Sequence, residues 1–141
     1  VLHVSEYLDW NQKIIDEFRA NKGQVGGQFQ GAPLLLMNTT GAKSGRPRVS
    51  PIMYLDLDKH RYVFASKAGA DTNPDWYTNL RANPTVTVEV GGEKYEATAT
   101  PLAGEERDRV FAEQVKRFAG FGEYQEKTAR VIPVVELVRS K

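Results

Sequence analysis

Between Thr85 and Pro101 the chain spells out an antiparallel hairpin. Val86, Val88 and Val90 alternate with Thr87 and Glu89, Gly91-Gly92 follows, and Tyr95, Ala97 and Ala99 share one face of the returning run. Successive side chains leave a strand on opposite faces, so each arm has one face to bury. A two-glycine connection joins only antiparallel neighbours, because a parallel partner would need a crossover of a dozen residues or more. The chain is thereby committed to an antiparallel sheet.

Other segments extend that sheet. Leu34-Leu35-Leu36-Met37 is an unbroken apolar run, the mark of a buried strand. From Arg48 to Leu57, Val49, Pro51, Met53 and Leu55 oppose Ser50, Ile52, Tyr54 and Asp56; an Asp58-Lys59-His60 turn then feeds a partner at Arg61 to Ser66. Ile132 to Val138 reads as the last strand. Helices fit between these runs. An amphipathic helix over about 5–21 carries Leu8, Asn11, Ile15 and Phe18 on one stripe, widened by Trp10 and Ile14. Asn73 as cap and Pro74 at the first helical position open a short helix, which Asn83-Pro84 closes. Gly104 to Phe118 forms a longer one, with Val110, Phe111, Val115 and Phe118 inward. Glycines at 23, 26, 27 and 31 mark Lys22 to Gly31 as a loop. A doubly wound sheet would alternate strand and helix regularly and carry a GxGxxG turn, and neither occurs. The expected class is α+β, a small antiparallel β-barrel with flanking helices, with residues 1–141 forming one domain.

Composition then removes whole classes of function. Net charge is only +1, so no general basic surface for nucleic acid is present. There is no cysteine, which excludes disulfides, thiolate metal sites and cysteine nucleophiles. His3 falls in a tail and His60 in a turn, and no serine sits in a nucleophile elbow, so no metal site and no hydrolytic nucleophile is expected. No apolar run reaches membrane-spanning length and no signal pattern opens the chain, so a cytoplasmic protein is the default expectation, and a monomer is expected because no long exposed apolar edge is evident. The N-terminal helix, with Tyr7, Leu8 and Trp10, leaves peripheral membrane contact or a lid over a ligand pocket as further readings.

Two segments carry chemistry. Thr39-Thr40-Gly41-Ala42-Lys43-Ser44-Gly45-Arg46-Pro47-Arg48 packs three cations and two glycines between β-like runs. Glycines allow backbone amides to converge on anionic oxygens, and arginines grip such oxygens bidentately. The same residues could also form a solvated turn. The second runs from Ala65-Ser66-Lys67-Ala68-Gly69 through Asn73-Pro74-Asp75-Trp76-Tyr77-Thr78-Asn79-Leu80, from a strand end through small residues into a helix. It gathers backbone amides and the Ser66 hydroxyl in one place, although an ordinary strand–loop–helix with Trp76 in the core has the same pattern. Without side chains for hydrolysis, cofactor chemistry remains, because the cofactor performs the difficult step and the protein binds and orients it.

In this order and spacing, the two segments resemble the deazaflavin-dependent nitroreductase family, whose members use coenzyme F420. Gly26-Gly27-Gln28-Phe29 and Arg130-Val131-Ile132-Pro133-Val134-Val135 fit as well, so the resemblance spans nearly the whole chain. It implies a split β-barrel related to FMN-binding barrels, and hydride transfer from reduced F420 to an electrophilic small molecule. The coenzyme's phosphate and glutamate tail would rest on Ala42, Lys43, Ser44, Gly45, Arg46, Pro47, Arg48 and Ser50. Its ring and ribityl chain would lie along Ala65, Ser66, Lys67 and Ala68 and the helix start at Asp75, Trp76, Tyr77 and Asn79. Ser66 and Tyr124 are the candidate catalytic residues; Trp10, Met53, Phe118, Phe121 and Tyr124 would line the acceptor pocket. Nitroimidazole-reducing relatives carry tyrosines where this chain has Met53, Phe118 and Phe121; an arginine common in the family's basic loop is Ala42 here, with Arg46 nearby to replace its charge. Loss of those hydroxyls favours apolar acceptors such as quinones, enones and unsaturated lactones over nitro compounds. An FMN-dependent reductase of the same fold and a non-catalytic F420- or lipid-binding module are the alternatives.

Overall fold

The computed structural model describes residues 4–26 and 33–140, with side chains from Asn11 onward. Six strands close into an antiparallel barrel: β1 (Leu34–Thr40), β2 (Pro47–Leu57), β3 (His60–Phe64), β4 (Thr85–Val90), β5 (Glu93–Pro101) and β6 (Val134–Arg139). Their order around the barrel is β1-β2-β3-β6-β5-β4, with β1 closing onto β4. The helices are α1 (Val4–Ala20), α2 (Asp75–Ala82), α3 (Gly104–Arg117) and α4 (Gly120–Glu126). The antiparallel barrel and its flanking helices match the expected class.

The β4–β5 hairpin pairs in the register its alternation dictates, Val86 opposite Ala97 and Val88 opposite Tyr95. The turn after β2 places Asp58 and Lys59 at φ 54° and 69°, the paired positive values that suit a strand-joining turn. Two corrections concern helix ends. The short helix is capped by Pro74 without any side-chain cap, and Asn73 instead accepts a hydrogen bond from Arg130 Nη1 at 2.9 Å. α4, with glycines at 120 and 122, went unread in the sequence.

Alternation divides the core in two. Leu35, Met37, Ile52, Val63, Val86, Val88, Ala97, Ala99, Val135 and Leu137 fill the barrel interior, and α2 plugs one end with Tyr77 and Leu80. On the outside, Leu55, Tyr62, Phe64 and Val134 pack under α3 and α4. Leu34 and Leu36 pack under α1 through Ile14, Ile15 and Phe18. β1 is therefore buried on both faces, which explains its unbroken apolar run. Three buried side chains on α1 are together worth about 5–8 kcal/mol of apolar burial. Its C-terminal half is docked on the barrel by that margin.

A partly buried ion pair, with Arg19 exposed and Glu89 buried, completes the docking. Arg19 donates to both Glu89 oxygens, at 3.0 and 2.8 Å, and Asn38 Nδ2 donates to Glu89 Oε2 at 2.8 Å. These hydrogen bonds, led by that of Arg19, hold the Glu89 carboxyl below its ordinary value. A carboxylate with a depressed folded-state pKa contributes stability that is complete above its unfolded pKa and is lost as pH falls through the folded one. Acidification below about pH 4.5 is therefore expected to lower the melting temperature, the loss continuing through the depressed value. Glu89→Gln should flatten that acid limb while costing about 1–2 kcal/mol at neutral pH. Thermal melts across pH 3–7 check both; parallel acid limbs would remove Glu89 from the account.

Candidate functional site

The basic turn joins β1 to β2 and is held from below. Gly41 N donates to the Arg46 carbonyl at 2.8 Å and Gly45 N to the Gly41 carbonyl at 2.9 Å, while Arg46 N donates to Ser44 Oγ at 3.2 Å. A Cβ on Gly41 would stand 2.5 Å from Ser44 Oγ and 3.3 Å from the Arg46 carbonyl oxygen, so a side chain there would displace the Ser44 hydroxyl from the turn. Buried Asn79 on α2 accepts from Ala42 N at 3.0 Å and donates to Thr39 Oγ1 at 3.5 Å, tying the turn to the helix. Asn79 thus serves as a strut beneath the turn. Ala42, Lys43, Gly45, Arg46, Pro47 and Arg48 are exposed, and Ser50 is half-buried on β2. Among the described residues no carboxylate pairs with Lys43, Arg46 or Arg48, although most other arginines have such a mate. Three unmated cations on a short, braced turn have the chemistry to receive anionic oxygens. Beside it, past the Asn38–Thr87 pair where β1 and β4 part, opens a groove of about 490 Å³ whose lining includes Thr39, Thr40, Thr85 and Thr87.

The loop after β3 is the second part. Ala65 is buried, Ser66 half-buried, and Lys67 and Ala68 exposed. Ser66 sits in the right-handed region, while Lys67 and Ala68 have φ of 46° and 53°. Alternating right- and left-handed residues turn successive N–H groups to one side. Ser66 Oγ makes no capping bond, and Lys67 Nζ donates to Thr72 Oγ1 at 3.0 Å. Asp75 and half-buried Trp76 start α2, where Trp76 packs on the barrel core; Tyr77 is buried, its hydroxyl accepting from Arg81 Nη1 at 3.0 Å.

The apolar part lies outside the barrel. Met53, Phe118, Phe121 and Tyr124 all join the cluster under α3 and α4, with Phe121 buried and the other three half-buried. Met53 also touches the cluster under α1. Phe121 and Tyr124 meet edge to face, ring centroids 5.4 Å apart. α4 abuts the loop after β3, since a Cβ on Gly69 would lie 2.8 Å from the Tyr124 carbonyl oxygen. Trp10, the fifth residue expected here, has its side chain outside the described residues, as does much of the Lys22–Gly31 loop.

One residue of the site was quoted from the sequence only as part of a motif. Arg130 donates through Nη1 to the Ala65 carbonyl, through Nη2 to the Ser66 carbonyl and through Nε to the Ala70 carbonyl, at 3.0, 2.8 and 2.8 Å. It is itself anchored: Arg107 Nη2 and Gln125 meet at 2.9 Å, and Gln125 Nε2 donates to the Arg130 carbonyl at 2.7 Å. Burial lowers the Arg130 pKa from its ordinary 12.5, which leaves the guanidinium charged at neutral pH.

A cationic turn, a loop of outward amides and an adjoining aromatic surface suit an anionic redox coenzyme and an apolar partner. Residues 10–139 match the family model described as F420H(2)-dependent quinone reductase. The chain belongs to that family. An F420H(2)-dependent quinone reductase of Mycobacterium tuberculosis is 36% identical over 126 residues, covering 86% of this chain and 85% of its own. A solved F420-H2 dependent reductase of the FDR-A group is 42% identical with a TM-score of 0.68, over 74% of this chain and 93% of its own. A second solved relative, described as a domain-swapped dimer, is 35% identical with a TM-score of 0.70, over 96% and 99% of the two chains. The barrel is thus the split barrel of an F420-dependent reductase. The quinone reductase family is a narrower placement than the nitroreductase resemblance. Among the described residues no helix is long and apolar enough to cross a membrane.

Proposed function

We propose that this quinone reductase family member binds F420H2 with its acidic tail on Lys43, Arg46 and Arg48, its ring along residues 65–68 and the start of α2, and an apolar quinone against Met53, Phe118, Phe121 and Tyr124. The observation that carries this reading is the set of three unmated cations on the braced turn. A solvated surface turn needs no strut from a buried asparagine. Reduced F420 supplies a hydride. The protein's task is to hold donor and acceptor at reacting distance and to exclude water, for which the aromatic surface over β2 is suited. Tyr124 carries the one phenol among the four described acceptor-facing side chains. Its O–H donates to the acceptor oxygen that gains charge as the hydride arrives, and Ser66 Oγ, uncommitted to capping, is the second donor for that end of the site. The apolar rest of the pocket selects quinones, enones and unsaturated lactones ahead of nitro compounds.

We take the monomer as the working state, since among the described residues every strand finds both neighbours within the chain and no sheet edge is left to pair. Parallel titration with F420, FMN and NADPH tests the reading. F420 should bind alone, and the reduced complex should reduce menadione anaerobically faster than a nitroimidazole. Purified protein carrying yellow FMN, or F420 bound without turnover on any acceptor, would overturn it.

A further inference from the structure

Arg130 directs its described side-chain bonds inward, to Ala65, Ser66, Ala70 and Asn73, and three of those four acceptors are backbone carbonyls. A trans peptide points its N–H opposite its C=O. Two successive carbonyls drawn to one guanidinium therefore turn the Ser66 and Lys67 amides away from it. Among the described residues neither amide, nor that of Ala68, has a backbone acceptor, whereas Gly69 N and Ala70 N close back on the Ser66 and Lys67 carbonyls. Behind this row of free donors stands a full positive charge, and no carboxylate lies within salt-bridge distance of Arg130 among the described residues. Asp71 is the carboxylate close enough to act on that charge, and it makes no ion pair with it, so the charge is only partly offset. The clamp is also costly to move, being tied through Gln125 to Arg107, whose Nε and Nη2 both donate to the Ile132 carbonyl.

We infer that Arg130 is a positioning residue that aims the Ser66 and Lys67 amides at the coenzyme's ring and, through its own charge, favours the anionic form of that ring. This rests on the placement of F420 proposed above. Oxidised F420 carries an acidic ring hydroxyl whose anion spreads its charge across the ring system, so outward amides backed by a guanidinium stabilise that anion more than the neutral form. A purely structural clamp would leave the acidity of the bound ring unchanged.

The test is spectroscopic and needs no turnover. Oxidised F420 changes its visible absorption when the hydroxyl ionises, and this is titrated free and bound. In the wild-type complex the transition should lie at lower pH than in free F420. Arg130→Met should return it toward the free value by about one pH unit, a tenfold change in acidity. Arg130→Lys keeps the charge but cannot bridge three carbonyls, so it should retain part of the shift while weakening affinity. Lys43→Ala should weaken binding without moving the transition, because its charge serves the tail. Wild-type protein that binds F420 with an unshifted transition overturns this inference alone, and that comparison stands even if Arg130→Met fails to fold. Absence of F420 binding to the wild type would reject the functional reading, and this inference with it.

Discussion

Gly69→Ala is expected to lower stability by about 3 kcal/mol, a fall in melting temperature of roughly 10 °C for a domain of this size. Two penalties combine. Gly69 holds φ at 84°, where a side chain is strained, and the added methyl would stand 2.8 Å from the Tyr124 carbonyl oxygen and 3.0 Å from its Cα. Neither obstacle is a side chain that can swing aside. Relief requires the loop after β3 and α4 to separate, which moves Ser66 relative to Tyr124 and should reduce kcat/KM for a quinone by ten- to a hundredfold. Gly45→Ala is the control. Its φ is also positive, 68°, but nothing lies within 4 Å of the new methyl, so it should cost only about 1 kcal/mol. Thermal melts and steady-state kinetics on both variants check the contrast. Equal effects at the two positions would show that the approach of α4 to the loop is unimportant.

Replacing Lys43, Arg46 and Arg48 together by alanine should weaken F420 binding by about a thousandfold at low salt. That corresponds to about 1.4 kcal/mol for each lost charge-assisted contact, and the deficit should shrink as salt screens the wild type. Stability should hardly change, because no carboxylate among the described residues loses a mate. Fluorescence titration of F420 at two salt concentrations, with a melt on each sample, makes the comparison. Unchanged affinity in the triple variant would remove the tail from this turn.

Local signals carried the strands. The glycine turn after Val90 and the Asp58-Lys59 turn after Leu57 each fix a hairpin within a few residues, and alternation puts Met53 and Leu55 on one face of β2, although only the structure shows that this face is the outer one. The basic turn was legible for the same reason, since its cations and glycines are contiguous. What escaped the sequence depends on partners far along the chain. Arg19 and Glu89 lie 70 residues apart, and nothing in either neighbourhood announces the other. Arg130 binds backbone oxygens, which every residue possesses, so no complementary side chain betrays its role; it also claimed Asn73, the residue whose position before Pro74 had marked it as a cap. Helix α4 is only seven residues long and contains two glycines, too short and too flexible to show a period. Gln114 escaped because the apolar stripe of α3 skips it, yet its amide is fully buried, without a partner among the described residues.

Met53 lies where the packing under α1 meets the packing under α3 and α4. A change of volume at this one position is therefore felt by both helical covers at once, while the strands beneath keep their hydrogen bonds. Such a residue works as a tuning screw: altering a single thioether reshapes the oily surface on both sides of it and leaves the basic turn at the start of β2 untouched.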